Sequence, residues 1–210
     1  MSVREPDWPE PAYVIRTERL VIRAFERTDV TSVHEAVLDN AEALRPWMPW
    51  IEHEPMTPAE RAALLRGFRA RFDLGEDFVY GIFDPEDGRY LGGCGLHARV
   101  SQCALEIGYW IVRDRWGEGL ATEAAAALTR VAIDRMEVDK VEIRVSPRNL
   151  RSLSVPRKLG YVEEGTLRGV GPHHEGLRDD LVVFGMLPHH FPSSPAARVA
   201  VTTEGFAPGA

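Results

Sequence analysis

Two glycines mark the place in this chain where chemistry is first legible. The stretch "RWGEGLATEA", Arg115 to Ala124, passes from a charged turn through Gly117-Glu118-Gly119 into an alanine-rich helical pattern. It directly follows the β-like run "ALEIGYWIV" (104–112). The first four amides of a helix lack intrahelical acceptors, and the helix dipole adds partial positive charge there. Glycine removes the Cβ that would hold an anion away from the backbone. Strand, turn, Gly-x-Gly and helix in that order suit a phosphate, although a tight turn with no ligand satisfies the same spacing. A P-loop needs Gly-Lys-Ser/Thr at the helix start, where Gly119-Leu120-Ala121 stands instead. A dinucleotide site needs a third small residue at Thr122 and an acid closing the next strand, which ends Arg144-Val145-Ser146.

The cations are placed locally. Arg144 to Lys158 holds five cations and no acid, and Arg113 and Arg115 flank the glycine turn, in a chain of net charge −7. If 104–112 and 140–145 are neighbouring strands, these charges meet at one sheet edge. A solvated basic face is the plainer reading. The acidic total argues against non-specific nucleic-acid binding.

Elements must position these residues. "YVIRTERLVIRAF" (13–25) reads as a strand or bent strand pair around Thr17-Glu18-Arg19. Val30, Val33 and Val37 fall at helical spacing within 28–40. "ALRPWMPWI" (43–51) reads as a short helix and turn over an apolar surface. Thr57, Pro58 and Glu60 form an N-terminal capping box for a helix over 57–72. The runs 77–84, 90–98 and 104–112 form an antiparallel meander, in which Cys94 falls opposite about Ile107. A helix over 118–136, a strand over 140–145, a helix near 150–159 and strands near 161–170 and 180–187 complete a mixed α/β sheet. Pro156 stands inside that last helix and is expected to cost it a backbone bond and kink it.

The 210 residues, 44% of them hydrophobic, suit one domain over 13–191, with 1–12 and 192–210 expected to be loose. No apolar run approaches a membrane span or a signal peptide. Cys94 and Cys103 are the only cysteines, which fits free thiols and a cytoplasmic setting. The pairs His173-His174 and His189-His190 lack metal-ligand spacing, so no metal is expected.

"WGEGLATEA" (116–124) followed by "NLRSLSVPRKLGY" (149–161) resembles the GNAT N-acetyltransferases. With "LRPWMPW" (44–50), "EIGYW" (106–110) and "LRDDLVVFGML" (177–187), it is similar to their ribosomal-protein N-terminal, RimJ/RimL-type branch, over about residues 14 to 187. The resemblance implies a GNAT fold, a mixed and mostly antiparallel sheet of about seven strands flanked by helices. It implies acetyl-CoA as cosubstrate, its pyrophosphate on the amides of Gly117, Glu118, Gly119, Leu120, Ala121 and Thr122. Its pantetheine arm would lie against Trp110, Ile111 and Val112 and meet Asn149, with Arg148, Arg151 and Lys158 as looser phosphate candidates. Trp116 stands where the wider superfamily has Arg or Gln. The acceptor would be a primary amine, by resemblance a protein N-terminal α-amine. A small-molecule amine acceptor and a non-catalytic acyl-CoA-binding module stay open. Trp47, Trp50, His173 and His174 are acceptor-groove candidates, and a homodimer is a family expectation.

Amine acetylation needs a neutral amine, a stabilised oxyanion and a protonated leaving thiol. An α-amine has a pKa of about 8, so a modest base suffices. Glu106 is the candidate base, direct or through water, because it shares a strand face with Gly108, Trp110 and Val112, and Gly108 leaves space beside it. A solvated carboxylate is its alternative. A strand-end amide near Ile111 or Val112 would meet the oxyanion. Ser152 is the family position for the thiol proton donor, with Tyr161 second. A helix-start hydrogen bond is the plainer role for Ser152.

Overall fold

The computed structural model describes residues 9–101, 103–174 and 176–205, with the side chain of His174 outside the description. The meander forms as its alternation predicts, with β3 (Phe78–Phe83), β4 (Tyr90–Ser101) and β5 (Ala104–Ile111). Ahead of it, β1 (Val14–Arg16) and β2 (Val21–Ala24) turn about the Thr17-Glu18-Arg19 break and pair antiparallel. After it, β6 (Lys140–Val145), β7 (Val162–Leu167) and β10 (Leu181–Met186) follow, while β8 (His173–His174) and β9 (Leu177–Arg178) make a separate small hairpin. A short β11 (Thr202–Glu204) adds to the far edge. The main sheet has nine strands among the described residues, in the order β11-β1-β2-β3-β4-β5-β6-β10-β7. Among the described residues, only β5 and β6 run parallel.

Helices cover both faces. On one, α1 (Val30–Leu44) buries Val33, Val37 and Leu44, and α2 (Pro58–Asp73) buries Leu65 and Phe72. The expected capping box starts α2, with Glu60 N–H donating to Thr57 Oγ1 and Thr57 N–H to Glu60 Oε2. The Trp-Pro segment between them turns at Pro49–His53 and buries Ile51. On the other face, α3 (Leu120–Arg130) carries Ala124 to Ala127 with no exposure at all, so its backbone lies close to the sheet. Its last turn widens to π geometry over Val131–Arg135. Then α4 (Leu150–Leu159) packs beside α3. Among the described residues no helix is long and apolar enough to cross a membrane.

The feature that makes a site is a divergence. β5 and β6 pair only from Ala104–Lys140 to Glu106–Glu142, yet β5 continues to Ile111 and β6 to Val145. Past Glu106 the two strands splay, and one edge of β5 is left without a partner strand.

Two expectations need correction. Cys94 pairs with Tyr109, and Leu96 faces Ile107, because an irregularity between His97 and Ser101 shifts the β4–β5 register. The segment from Pro192, expected to be loose, is packed as far as the description runs: Ala196 is fully buried and Thr202–Glu204 pair with β1. Turns at Phe191–Ser193 and Pro195–Arg198 set the apolar Phe191 and Ala196 inward, and strand pairing uses backbone groups that composition does not reveal. Ala12, at the end of the N-terminal stretch, is also fully buried. Residues 1–8 and 206–210 lie outside the described residues.

Candidate active site

The glycine turn opens at the splayed end of β5. Gly117 and Gly119 sit in the left-handed region, at φ 87° and 84°, which an L side chain rarely adopts. A Cβ on Gly117 would meet nothing within 4 Å, so that glycine answers to backbone conformation and not to crowding. Gly119 is the N-cap of α3 and brings no side-chain cap. The amides from Gly117 to Thr122 therefore have no acceptor among the described residues. They form an uncapped donor cluster at the positive end of a helix dipole. Arg19 reaches this turn from the β1–β2 loop. It donates to the Glu118 carbonyl at 2.9 Å and pairs with Glu123 in the first turn of α3.

The free edge of β5 presents alternate residues. Val112 N–H donates to Leu91 O of the residue before Gly92, so the alternation of the ladder turns Trp110 and Val112 toward β4 and Tyr109 and Ile111 toward the splay. Of the expected backbone contacts at Trp110, Ile111 and Val112, Ile111 N–H is the one left facing the cleft. Its carbonyl accepts from Trp116 Nε1 at 2.6 Å.

Across the splay stands α4. Asn149 is its N-cap, with Oδ1 accepting from Ser152 N–H at 3.1 Å. Ser152 Oγ donates to Tyr109 Oη at 3.1 Å, and Tyr109 Oη donates to the Ser152 carbonyl at 3.2 Å. Pro156 explains the second bond. The Ser152 carbonyl is the one that an ordinary residue 156 would have used as its helical acceptor, and proline has no N–H to give. The helix runs on through Pro156 to Leu159, and Tyr109 takes up the orphaned carbonyl. Tyr161 is not at this edge. Its hydroxyl meets Thr129 Oγ1 at 2.6 Å under α3, and burial pushes its phenol pKa up. Tyr109, not Tyr161, is the tyrosine hydrogen-bonded to Ser152.

The sheet face under α1 and α2 forms the other wall. Trp110 stacks beside Trp50, with centroids 6.1 Å apart, and beside Tyr90 at 5.8 Å. Trp47 lies 5.5 Å from the guanidinium of Arg148, which Asp179 pairs at 2.6 Å. Arg151 stacks on Trp116 at 4.9 Å and is drawn toward the glycine turn. His173 is exposed on the β8–β9 hairpin, whose base Asp179 anchors. Glu106 is buried and its carboxylate is taken: Arg99 donates to its two oxygens at 2.6 and 3.1 Å, and Arg144 lies 3.7 Å away.

A model of the acetyltransferase (GNAT) domain matches residues 19–162. The chain belongs to the GNAT acetyltransferase family. Its relatives include a putative ribosomal N-acetyltransferase, YdaF, of Bacillus subtilis, 29% identical over 81% of this chain and 92% of that protein. The [ribosomal protein uS5]-alanine N-acetyltransferase of Escherichia coli is 26% identical over 95% of each chain. Among solved structures, Mycobacterium smegmatis RimJ in complex with CoA-disulfide superposes with a TM-score of 0.72 at 24% identity, over 92% of this chain and 95% of that one. RimL, solved with coenzyme A, gives 0.75 at 22% over 83% and 97%. These last two likenesses establish a common fold.

Acetyl-CoA is the cosubstrate of GNAT acetyltransferases, and the cleft of this acetyltransferase fits it. The cleft has amides at the start of α3 with no acceptor, and a β5 edge with no partner strand, among the described residues. Among the described residues no group of His, Cys, Asp and Glu is arranged to hold a metal, and the rings of His189 and His190 lie against each other. Cys94 is buried with its thiol pKa pushed up. Lys158 is exposed near the C-terminal end of α4, away from the helix N-terminus that Asn149 caps. Three contributors had no signal of their own in the sequence. Tyr109 and Arg19 act through partners distant along the chain. Asn40, buried on α1, accepts from the Arg113 amide at 2.7 Å and pins the turn.

Proposed function

We propose that this acetyltransferase acetylates a primary amine, and that the amine is the N-terminal α-amine of a protein. The observation that carries acetyl transfer is the six-amide donor turn set at the mouth of the β5–β6 splay, while the α-amine acceptor rests on the names of the relatives. In this reading the turn from Gly117 to Thr122 binds the pyrophosphate, Arg151 and Trp116 wall it, and the edge of Tyr109 and Ile111 pairs with the pantetheine arm. Asn149 keeps its side-chain NH₂ for the same arm, since its carbonyl oxygen caps α4.

Acetyl-CoA supplies a carbonyl activated as a thioester. The residues orient the rest. Ile111 N–H faces the cleft as donor to the carbonyl oxygen as it gains charge. Ser152, held by Tyr109, stands where a departing sulfur needs a proton. As the amine nitrogen bonds to the carbonyl carbon and the carbon–sulfur bond breaks, one amine proton is released and the sulfur gains one, with no covalent enzyme intermediate. Trp47, Trp50 and Trp110 form an apolar wall suited to the first side chains of a peptide, and His173 sits at its rim. The names of the relatives support a ribosomal protein as acceptor.

Thiol release from acetyl-CoA tests this against short peptides with Ser, Ala, Thr or Met N-termini, run beside polyamines and aminoglycosides. Turnover on a peptide is expected. Turnover on small amines alone would move the acceptor class, and acetyl-CoA binding with no turnover would leave an acyl-CoA-binding module.

A further inference from the structure

The face of β4 and β5 opposite α3 carries a histidine that the cleft described so far does not use. Gly95 and Gly108 are Cα partners on it. A Cβ on Gly95 would come 2.8 Å from His97 Cε1 and Nε2, and one on Gly108 would come 3.2 Å from Nε2. The imidazole thus fills the room that two absent side chains leave. Its Nδ1 lies 2.7 Å from Asp77 Oδ1, with both side chains partly buried. Its Nε2 has no hydrogen-bond partner among the described residues and is not among their sealed polar atoms. It lies over Gly108, on the strand whose other edge borders the splay, between Glu106 and Trp110.

A base needs a free lone pair within reach of the amine. Each Glu106 oxygen already accepts a bond from Arg99, with Arg144 beyond, so its negative charge is shared with two cations. His97 has one nitrogen tied and one open. A carboxylate on Nδ1 favours the tautomer with hydrogen there and a bare Nε2.

We propose that His97, oriented by Asp77, takes the proton from the acceptor amine, and that Glu106 serves as a fixed negative charge held by Arg99. The inference rests on the acetyltransferase reading above. As the nitrogen–carbon bond forms and the carbon–sulfur bond breaks, the amine proton passes to His97 Nε2. The sulfur takes its proton from Ser152 or solvent, and His97 returns the amine proton to solvent afterwards. Nothing is oxidised or reduced. The charged groups facing the ring are Asp77 ahead of β3, Arg99 on β4 and Glu106 on β5, with Arg144 on β6 behind Glu106. Asp77 is a positioning residue in this scheme.

The experiment compares His97→Gln, His97→Ala and Glu106→Gln with wild type on the peptide that wild type acetylates best. Ring ¹⁵N shifts of wild-type His97 are recorded in parallel. The proposal expects the kcat of His97→Gln to fall about 100-fold or more, with the KM for acetyl-CoA unchanged. Added imidazole should restore part of the turnover of His97→Ala, and Glu106→Gln should keep more activity than either. The ring shifts should show hydrogen on Nδ1 and a bare Nε2. His97→Gln turning over within about threefold of wild type, or a ring carrying its hydrogen on Nε2, would overturn it, the former because a lost base costs far more. Silence of wild type on every amine would take the acetyltransferase reading down as well, which distinguishes the two failures.

Discussion

Tyr109 and Ser152 exchange two hydrogen bonds across the splayed ends of β5 and β6, one through the serine hydroxyl and one through the carbonyl that Pro156 leaves without a helical donor. The proline inside α4 and the tyrosine on β5 are therefore one device. It ties the helix carrying the candidate thiol donor to the strand edge that would carry the cofactor. Tyr109→Phe strands a carbonyl, at a cost of about 1–3 kcal/mol. Pro156→Ala supplies the missing N–H, so in that background the same change should cost less. Urea midpoints of the four proteins measure the coupling. Equal costs in both backgrounds would mean that the carbonyl has another partner.

The glycine turn separates stability from binding. Gly119→Ala forces an alanine to φ 84°, at about 1–2 kcal/mol, with only Arg19 Nη2 near the new Cβ, at 3.7 Å. The melting temperature should drop modestly, while its rise on adding acetyl-CoA, a mass-action effect, should shrink much more. Gly117→Ala should behave alike. A full acetyl-CoA-induced rise in both variants would remove the turn from the cofactor site.

Arg61 and Glu54 form an ion pair whose side chains are 2% and 1% exposed, and Arg61 Nε has no hydrogen-bond partner among the described residues. Glu54→Gln leaves a buried cation poorly matched and should cost about 3–5 kcal/mol, whereas replacing both residues by apolar ones should cost less. The pair sits under the segment that carries Trp47 and Trp50. Peptide KM should therefore rise in the single variant while acetyl-CoA KM holds. A single variant as stable as wild type would show that the pair is dispensable.

Alkali should unfold this protein early. Burial raises the pKa of the Tyr80, Tyr90, Tyr109 and Tyr161 phenols, and burial with a hydrogen bond to Asp73 takes Tyr13 up to about 12. An unfolded phenol ionises near pH 10, roughly. Above that pH the folded state holds more protons than the unfolded state. This stabilisation is complete below about pH 10 and is lost as pH rises beyond it. Tyr161→Phe should flatten the decline of the urea midpoint over that range. An unchanged slope would mean that Tyr161 ionises alike in both states.

Much of this could be read along the chain, because it depends on local pattern. Alternating strands, the Thr57-Glu60 box and the Gly-x-Gly turn are each dictated by neighbours a few residues away, and each forms. Glu106 is indicated by its strand face and Ser152 and Asn149 by the family resemblance, and all three line the region where β5 meets β6 and α4. Their partners were not legible. Nothing near Glu106 in sequence says that Arg144 will stand beside it, or that the β4 register will set Arg99 against it and His97 across from it. Tyr161, just ahead of β7, is the second candidate donor in the sequence, whereas Tyr109, inside β5, carries no such signal. Which one faces the cleft depends on where α3 lies and on Thr129 beneath it. The tail beyond Pro192 looked loose because composition reports side chains, while β11 is held to β1 by backbone hydrogen bonds. The sequence by itself thus determined most of the elements, the family and the Gly-x-Gly turn at the start of α3. Only the tertiary structure decided which side chains are ion-paired and which keep an open polar atom, because that depends on partners brought together from distant strands.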